Sequence, residues 1–346
     1  MNTTANRAEA AAADLLVDYL TGDELESLDP ARLLGVVGFT RLPPFEPHEI
    51  PTGATMTPAL GGADLYEVFR VASADQSLVS GRRGRIRYRH GEDLLFGCLT
   101  LDERDLHAPP AALGEALALQ RVTQVAYREI FDLLAEGRYP HLLRIWNYLP
   151  EINRLIDGEE RYRIFNAARQ TAFRESGRAT AGAVPAACAL GSPAGSPLSV
   201  YFLAAPHVPR PVENPRQTSA YHYPAKFGRH SPTFSRACIG AGRGSNLFIS
   251  GTASIVGYET MHVGNVVAQT KETLANIGAL IDEANRSLGW TRYSLDALKM
   301  KVYVRHATDL DAIRGVLGGA LRAAKPLYLS ADICREDLLV EIEATG

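Results

Sequence analysis

Ala331-Asp-Ile-Cys-Arg-Glu-Asp-Leu-Leu-Val-Glu-Ile-Glu-Ala-Thr-Gly346 sets carboxylates inside an apolar run. Leu339, Val340 and Ile342, with Glu341 and Glu343 alternating among them, read as a β-strand. An acid in such a strand either faces solvent or is desolvated. Desolvation raises a carboxyl pKa, which is what a general acid working near neutral pH requires. This stretch alone leaves both readings open.

Upstream, a series of motifs follows in fixed order. Ser231-Pro-Thr-Phe-Ser-Arg-Ala237 precedes a glycine turn at Gly242-Arg-Gly-Ser245 and the strand Leu247-Phe-Ile-Ser-Gly-Thr-Ala253. A helix opens at Ala268-Gln-Thr270 and runs to about Leu288; the strand Leu298 to Val304 and a helix from Asp309 to Ala323 come next. From Ser231 to Gly346 this order resembles the Rid/YjgF family of reactive-imine deaminases. One feature departs from that family. The arginine it carries upstream of the terminal strand is absent, and Pro326-Leu-Tyr-Leu-Ser330 occupies the region. An anionic substrate then needs another cation.

Further upstream, Arg144-Ile-Trp-Asn-Tyr-Leu-Pro-Glu-Ile-Asn153, Arg161-Tyr-Arg-Ile-Phe-Asn-Ala-Ala-Arg169 and Ser219-Ala-Tyr-His-Tyr-Pro224 resemble the bacterial chorismatases. That resemblance covers nearly the whole chain after residue 35. It implies a Rid-like fold and release of pyruvate from chorismate.

With 346 residues, the chain is long enough for about two domains. A net charge of -3 and no basic run beyond Gly81-Arg-Arg-Gly-Arg85 argue against nucleic-acid binding. That short run reads as a hairpin turn feeding Ile86-Arg-Tyr-Arg89. No apolar run reaches the roughly 20 residues that span a bilayer, and no signal-peptide pattern opens the sequence, so a cytoplasmic protein without a membrane partner is expected. Cys98, Cys188, Cys238 and Cys334 lack Cys-x-x-Cys spacing, and the nine histidines lack helical metal-ligand pairing. Neither a metal nor a cofactor is expected.

The expected fold class is α+β, two tandem Rid/YjgF-like domains of sheet plus helices. Residues 1–35 read as a helical lead-in, with a helix from Ala8 to Leu20, and a loop; 36–204 as a diverged N-terminal copy; 205–230 as a Pro/Tyr-rich crossing; and 231–346 as the C-terminal domain. The first copy runs β-β-α-β-α-β-β: strands near Ile86 and Leu94, a helix from Ala112 to Glu136, a strand at Leu142 to Tyr148, a helix from Glu159 to Glu175, then strands at Ala186 and Leu198. Prolines 206, 209, 211, 215 and 224 bar regular helix from the crossing, whose tyrosines and cations suit a pocket wall. Rid proteins form their sites between subunits, so tandem copies suit a pocket between two halves of one chain, as a monomer with a pseudo-repeat or as a Rid-like trimer.

Chorismate is a dianion, and its site calls for two cationic anchors, preferably bidentate arginines. Arg305, at the end of its strand, is the first candidate; Arg163, Arg169 and Arg236 follow, each equally readable as a solvated or salt-bridged side chain. Tyr148 and Tyr221 pair an apolar ring with a donor hydroxyl, Tyr221 being favoured over Tyr223, which points oppositely in an extended segment. Gly251, ending a strand, either admits a ligand against the backbone or forms a bulge. Gly240 to Ser245 opens a strand and so fails as a phosphate loop. A lone buried cysteine is commonly apolar filler, but the resemblance associates a cysteine at the Cys334 position with enzymes forming 3-hydroxybenzoate.

The function implied is conversion of chorismate to 3-hydroxybenzoate and pyruvate, with Glu341 protonating the enolpyruvyl ether. The alternatives are a chorismatase giving a dihydroxycyclohexadiene carboxylate or 4-hydroxybenzoate, a Rid-type imine deaminase, and a non-catalytic small-molecule binding protein.

Overall fold

The computed structural model describes residues 15–46, 48–62, 65–72, 77–105, 114–241, 245–322 and 325–346. A first sheet holds β1 (Leu15–Thr21), β2 (Leu33–Gly38), β3 (Thr52–Ala54) and β4 (Leu65–Val71) in the order β1-β4-β2-β3, with a short helix α1 (Gly22–Glu26) after β1. Next come β5 (Val79–Arg83), β6 (Ile86–His90), β7 (Leu95–Leu101), α2 (Glu115–Glu136), β8 (His141–Pro150) and a two-strand hairpin, β9 (Leu155–Ile156) and β10 (Glu159–Glu160). Helix α3 (Arg161–Glu175), β11 (Ala186–Ser192) and β12 (Leu198–Ala205) complete this half.

The second half runs β13 (Arg210–Val212), β14 (Ala237–Ile239), β15 (Leu247–Ala253), a small hairpin of β16 (Ile255–Val256) and β17 (Glu259–Thr260), and α4 (Val266–Leu288). It ends with β18 (Lys299–Val304), α5 (Leu310–Ala320), β19 (Leu327–Ser330), β20 (Asp332–Ile333) and β21 (Val340–Thr345). The two large sheets repeat one topology: β11-β8-β12-β7-β6-β5 in the first half, and β19-β18-β21-β15-β14-β13 in the second. In each, the outer crossover pair is parallel (β8 with β11, β18 with β19) and the remaining pairs are antiparallel. This is the duplication expected from element order.

Each sheet buries one face under its own two helices, whose apolar stripes face inward. Leu119, Tyr127, Ile130 and Phe165 close the first core; Ile277, Leu280, Ile313 and Leu317 close the second. The helix-free faces lie toward each other, joined by the first sheet through Phe69, Phe96, Trp146, Tyr201, Phe248 and Tyr303. One strand breaks the division. β20, from the second half, pairs antiparallel with β11 of the first, Leu190 opposite Ile333.

Two sequence expectations need correction. The lead-in helix to Leu20 gives way to β1, because Leu15 and Val17 bury at period two against β4 while Leu16 and Asp18 stay half-buried on the other face; its upstream part lies outside the described residues. A domain start at residue 36 likewise cuts β2, which pairs with β4 as part of the first sheet. The helix expected from Ala112 starts at Glu115 among the described residues, and the one expected to reach Ala323 ends at Ala320.

Candidate active site

Strand β21 explains the acids. Val340, Ile342 and Ala344 enter the helix-side core, so Glu341 and Glu343 must share the opposite face, between the sheets, where each is only 3% exposed. The desolvated reading of the terminal strand is therefore the correct one.

Glu341 forms the floor of a cavity of about 500 Å³ at the seam between the halves. Gly251 and Ala253 on β15 lie beside it; Tyr162 and Arg163 of α3 form one wall. The crossing segment supplies Tyr223 and Phe227, Phe234 and Arg236 follow, and the turn after β20 adds Cys334 and Arg335. Burial pushes the Glu341 carboxyl up to about 8, Glu343 adding to the rise and Arg144, Arg305 and Arg236 opposing it. Glu341 is thus a neutral acid at pH 7.

Glu343 behaves oppositely. Burial alone would raise it, but Lys301 and Arg144 more than offset that and hold it below the usual carboxylate range. It pairs with Arg144 and with Lys301 Nζ at 2.5 Å, and accepts from Trp146 Nε1 at 2.9 Å and the Tyr303 hydroxyl at 3.1 Å. Lys301 also donates to Glu67 at 2.8 Å, so a strand of the first sheet completes the charge balance. One strand therefore carries an ionised and a neutral carboxyl on the same face.

Gly251 sits where the β15–β21 register shifts, and a Cβ there would overlap the Glu341 carboxyl and lie 3.1 Å from Cys188 Cβ. Its missing side chain makes room for the acid, and the strand bulges at that point. The Cys334 sulfur is 4.0 Å from Glu341 Oε2; burial, then Glu341, push its thiol up to about 12. It remains a thiol, a small weak donor beside the acid and not a nucleophile.

The arginines separate by their partners. Arg305 is not an anchor: its five N–H groups donate to Leu338 O, Asn153 Oδ1, Asp332 Oδ1, Ile333 O and Arg335 O. A guanidinium has five N–H donors, so none remains for a substrate. It instead pins the turn that presents Cys334 and Arg335. Arg236 is 3% exposed; one nitrogen donates to Thr218 O and to the Tyr223 hydroxyl, and Nε has no partner. Arg335 lies over the Tyr223 and Phe227 rings and donates to Tyr258 O, while its buried Nη2 has no partner. Arg163 lines the cavity, 3.6 Å from Glu160. Arg169 is 2% exposed and donates from Nε to the Tyr127 hydroxyl at 2.7 Å.

Two tyrosines differ from expectation. Tyr148 is fully buried between the sheets, bonded to the Tyr303 hydroxyl at 2.8 Å, and does not line the cavity. Residues 220–222 form a 3-10 turn, which breaks the extended alternation assumed for this segment, so Tyr223 and not Tyr221 reaches the cavity. Tyr162, Phe234 and Arg335 went unnoticed; the position of Arg335 immediately after Cys334 was the available signal.

Chemically, the cavity combines a neutral acid, aromatic walls and Arg236 and Arg335, neither of which forms an ion pair among the described residues. Such a site suits a planar anion that must be protonated.

Residues 67–204 match the family model described as chorismatase FkbO/Hyg5-like, N-terminal. A 3-hydroxybenzoate synthase of Streptomyces hygroscopicus is 38% identical over 276 residues, covering 76% of each chain. A chorismatase from the same species is 36% identical, covering 78% of this chain and 76% of that one. The crystal structure of a chorismatase superposes with a TM-score of 0.83 at 30% identity, covering 96% of this chain and 98% of the other. With that coverage, and the same fold along nearly its full length, this chain belongs to the chorismatase family.

Proposed function

We propose that the protein converts chorismate to 3-hydroxybenzoate and pyruvate, with Glu341 as the general acid. The observation that carries this reading is a carboxyl raised to about 8 on the floor of a cavity where Arg236 and Arg335 form no ion pair among the described residues. Glu341 delivers its proton to the methylene carbon of the enolpyruvyl ether. The resulting oxocarbenium ion weakens the ether bond at ring C3, which breaks with its electron pair going to oxygen and releases pyruvate as the ketone. The C4 hydroxyl attacks C3 as the ether bond breaks and returns its proton to the Glu341 carboxylate, leaving a C3–C4 epoxide; its C4–O bond then opens, the C3 hydrogen shifts to C4, and loss of one C4 hydrogen as a proton, with protonation of the oxygen left on C3, restores the aromatic ring as 3-hydroxybenzoate. The two products together are isomeric with chorismate, so neither water nor a redox partner enters. A buried arginine fork pairs well with a carboxylate, and Arg169, Arg236 and Arg335 offer unpaired nitrogens for the two that chorismate carries.

The product choice rests on Cys334 beside Glu341, and on the 3-hydroxybenzoate synthase among the relatives. No helix among the described residues is long and apolar enough to cross a membrane. Incubating the purified protein with chorismate and identifying the products tests the reading: 3-hydroxybenzoate and pyruvate in equal amounts are expected, and unconsumed chorismate would refute it.

A further inference from the structure

Behind Gly251 a second, small chamber of about 30 Å³ adjoins the main cavity. Glu341, Gly251, Cys334, Tyr162 and Phe234 border both spaces, so they form the partition between them. Arg169 stands at the far side of the small chamber. Its guanidinium is 2% exposed, lies over the rings of Tyr127 and Phe173, and forms no ion pair among the described residues. Its Nε meets only a neutral hydroxyl, and Nη2 has no partner. That hydroxyl donates to Asn147 Oδ1 at 2.6 Å, and Asn147 donates to Cys188 O at 2.8 Å, so the arginine is oriented from behind.

A buried cation without a counter-charge is costly and favours any anion that can reach it. The chamber has room for about two water-sized groups, the footprint of a carboxylate but not of a six-membered ring. Resting on the chorismatase reading, we infer that this chamber receives the carboxylate end of small 2-oxo acids, the rest of the molecule lying at the partition: Arg169 takes the carboxylate of the enolpyruvyl arm and keeps that of pyruvate after cleavage. The placement is chemically consistent. The methylene that Glu341 must protonate belongs to the same three-carbon arm, and Glu341 borders the chamber. The ring and its carboxylate then lie in the main cavity with Arg236 and Arg335. Pyruvate sits deeper than the aromatic product and leaves after it.

Oxamate, a stable isostere of pyruvate, probes this directly in steady-state assays with chorismate. Competitive inhibition of the wild type by oxamate is expected, together with simultaneous binding of oxamate and 3-hydroxybenzoate, seen as intersecting lines when both inhibitors are varied. Arg169→Met should weaken oxamate by roughly tenfold or more, as loss of a charge-assisted bond does, and leave inhibition by 3-hydroxybenzoate within about twofold. Mutually exclusive binding in the wild type, or equal weakening of both inhibitors in the variant, would overturn the inference. The wild-type experiment stands even if Arg169→Met fails to fold. Absence of chorismate turnover by the wild type would instead refute the chorismatase reading itself.

Discussion

Glu341 and Glu343 are chemically identical side chains two residues apart, and their surroundings give them opposite charge states. Among the described residues no cation pairs with Glu341, so burial dominates; Glu343 touches Arg144 and Lys301 and stays ionised. Because the acid must carry its proton, kcat/KM should be flat at neutral pH and fall about tenfold per unit above pH 8. Glu341→Gln should lower turnover by roughly 10²–10⁴-fold while retaining substrate binding, checked by coupled pyruvate assay and calorimetry. The same residue affects stability. A folded carboxyl raised from 4.5 to about 8 holds a proton that the unfolded chain has lost, so stability declines as pH rises across that window. Glu341→Gln lacks this decline and should gain in Tm over the wild type progressively from pH 4.5 to 8; a Tm difference independent of pH would contradict the assignment. Gly251→Ala forces a methyl into the carboxyl's space and should cut pyruvate release by about tenfold or more, with Tm lowered as an overpacked site requires. The alternation of Glu341 and Glu343 was legible in the sequence. Their different charges were not, because the cations responsible come from Arg144 and Lys301, distant in sequence and on other strands.

At the level of elements, the strands and helices of the two halves were readable from period and turn chemistry, while β1 was not. The alanines before residue 14 suggested helix, and the alternation that decides for a strand becomes meaningful only once β4 is there to pair with it. The turn from Asp332 to Leu338 teaches the same lesson for the site. Arg305 was expected to bind substrate because it ends its strand; the structure gives four of its donors to that turn and the fifth to Asn153. Arg305→Lys, with three donors on a compact ammonium, cannot restore the network. It should lower Tm and increase hydrogen exchange at residues 333–338, with loss of activity following from displacement of Cys334 and Arg335. Unchanged exchange with a raised KM alone would return Arg305 to the role of anchor.

The whole molecule is a duplicated sheet-and-helix unit whose sheets face each other over a buried charge cluster, with the cavity above Glu341 at the edge of the same seam. Lys301 lies between Glu67 of the first sheet and Glu343 of the last strand, so it ties together three parts of the chain. Lys301→Met leaves two carboxylates buried against each other and should destabilise by about 3–5 kcal/mol at pH 8, less at pH 5 where protonation relieves the repulsion. Denaturant unfolding at the two pH values checks this. The pseudo-repeat was visible as element order, but which face each copy turns to the other was not, since that depends on packing between sheets. On the proposed function, this seam cleaves chorismate with a proton from Glu341 and no water. Mass spectrometry of the products formed by the wild type in ¹⁸O-labelled water tests it most directly: equal amounts of pyruvate and 3-hydroxybenzoate are expected, the phenolic oxygen unlabelled, whereas intact chorismate, or heavy oxygen in the phenol, would contradict it.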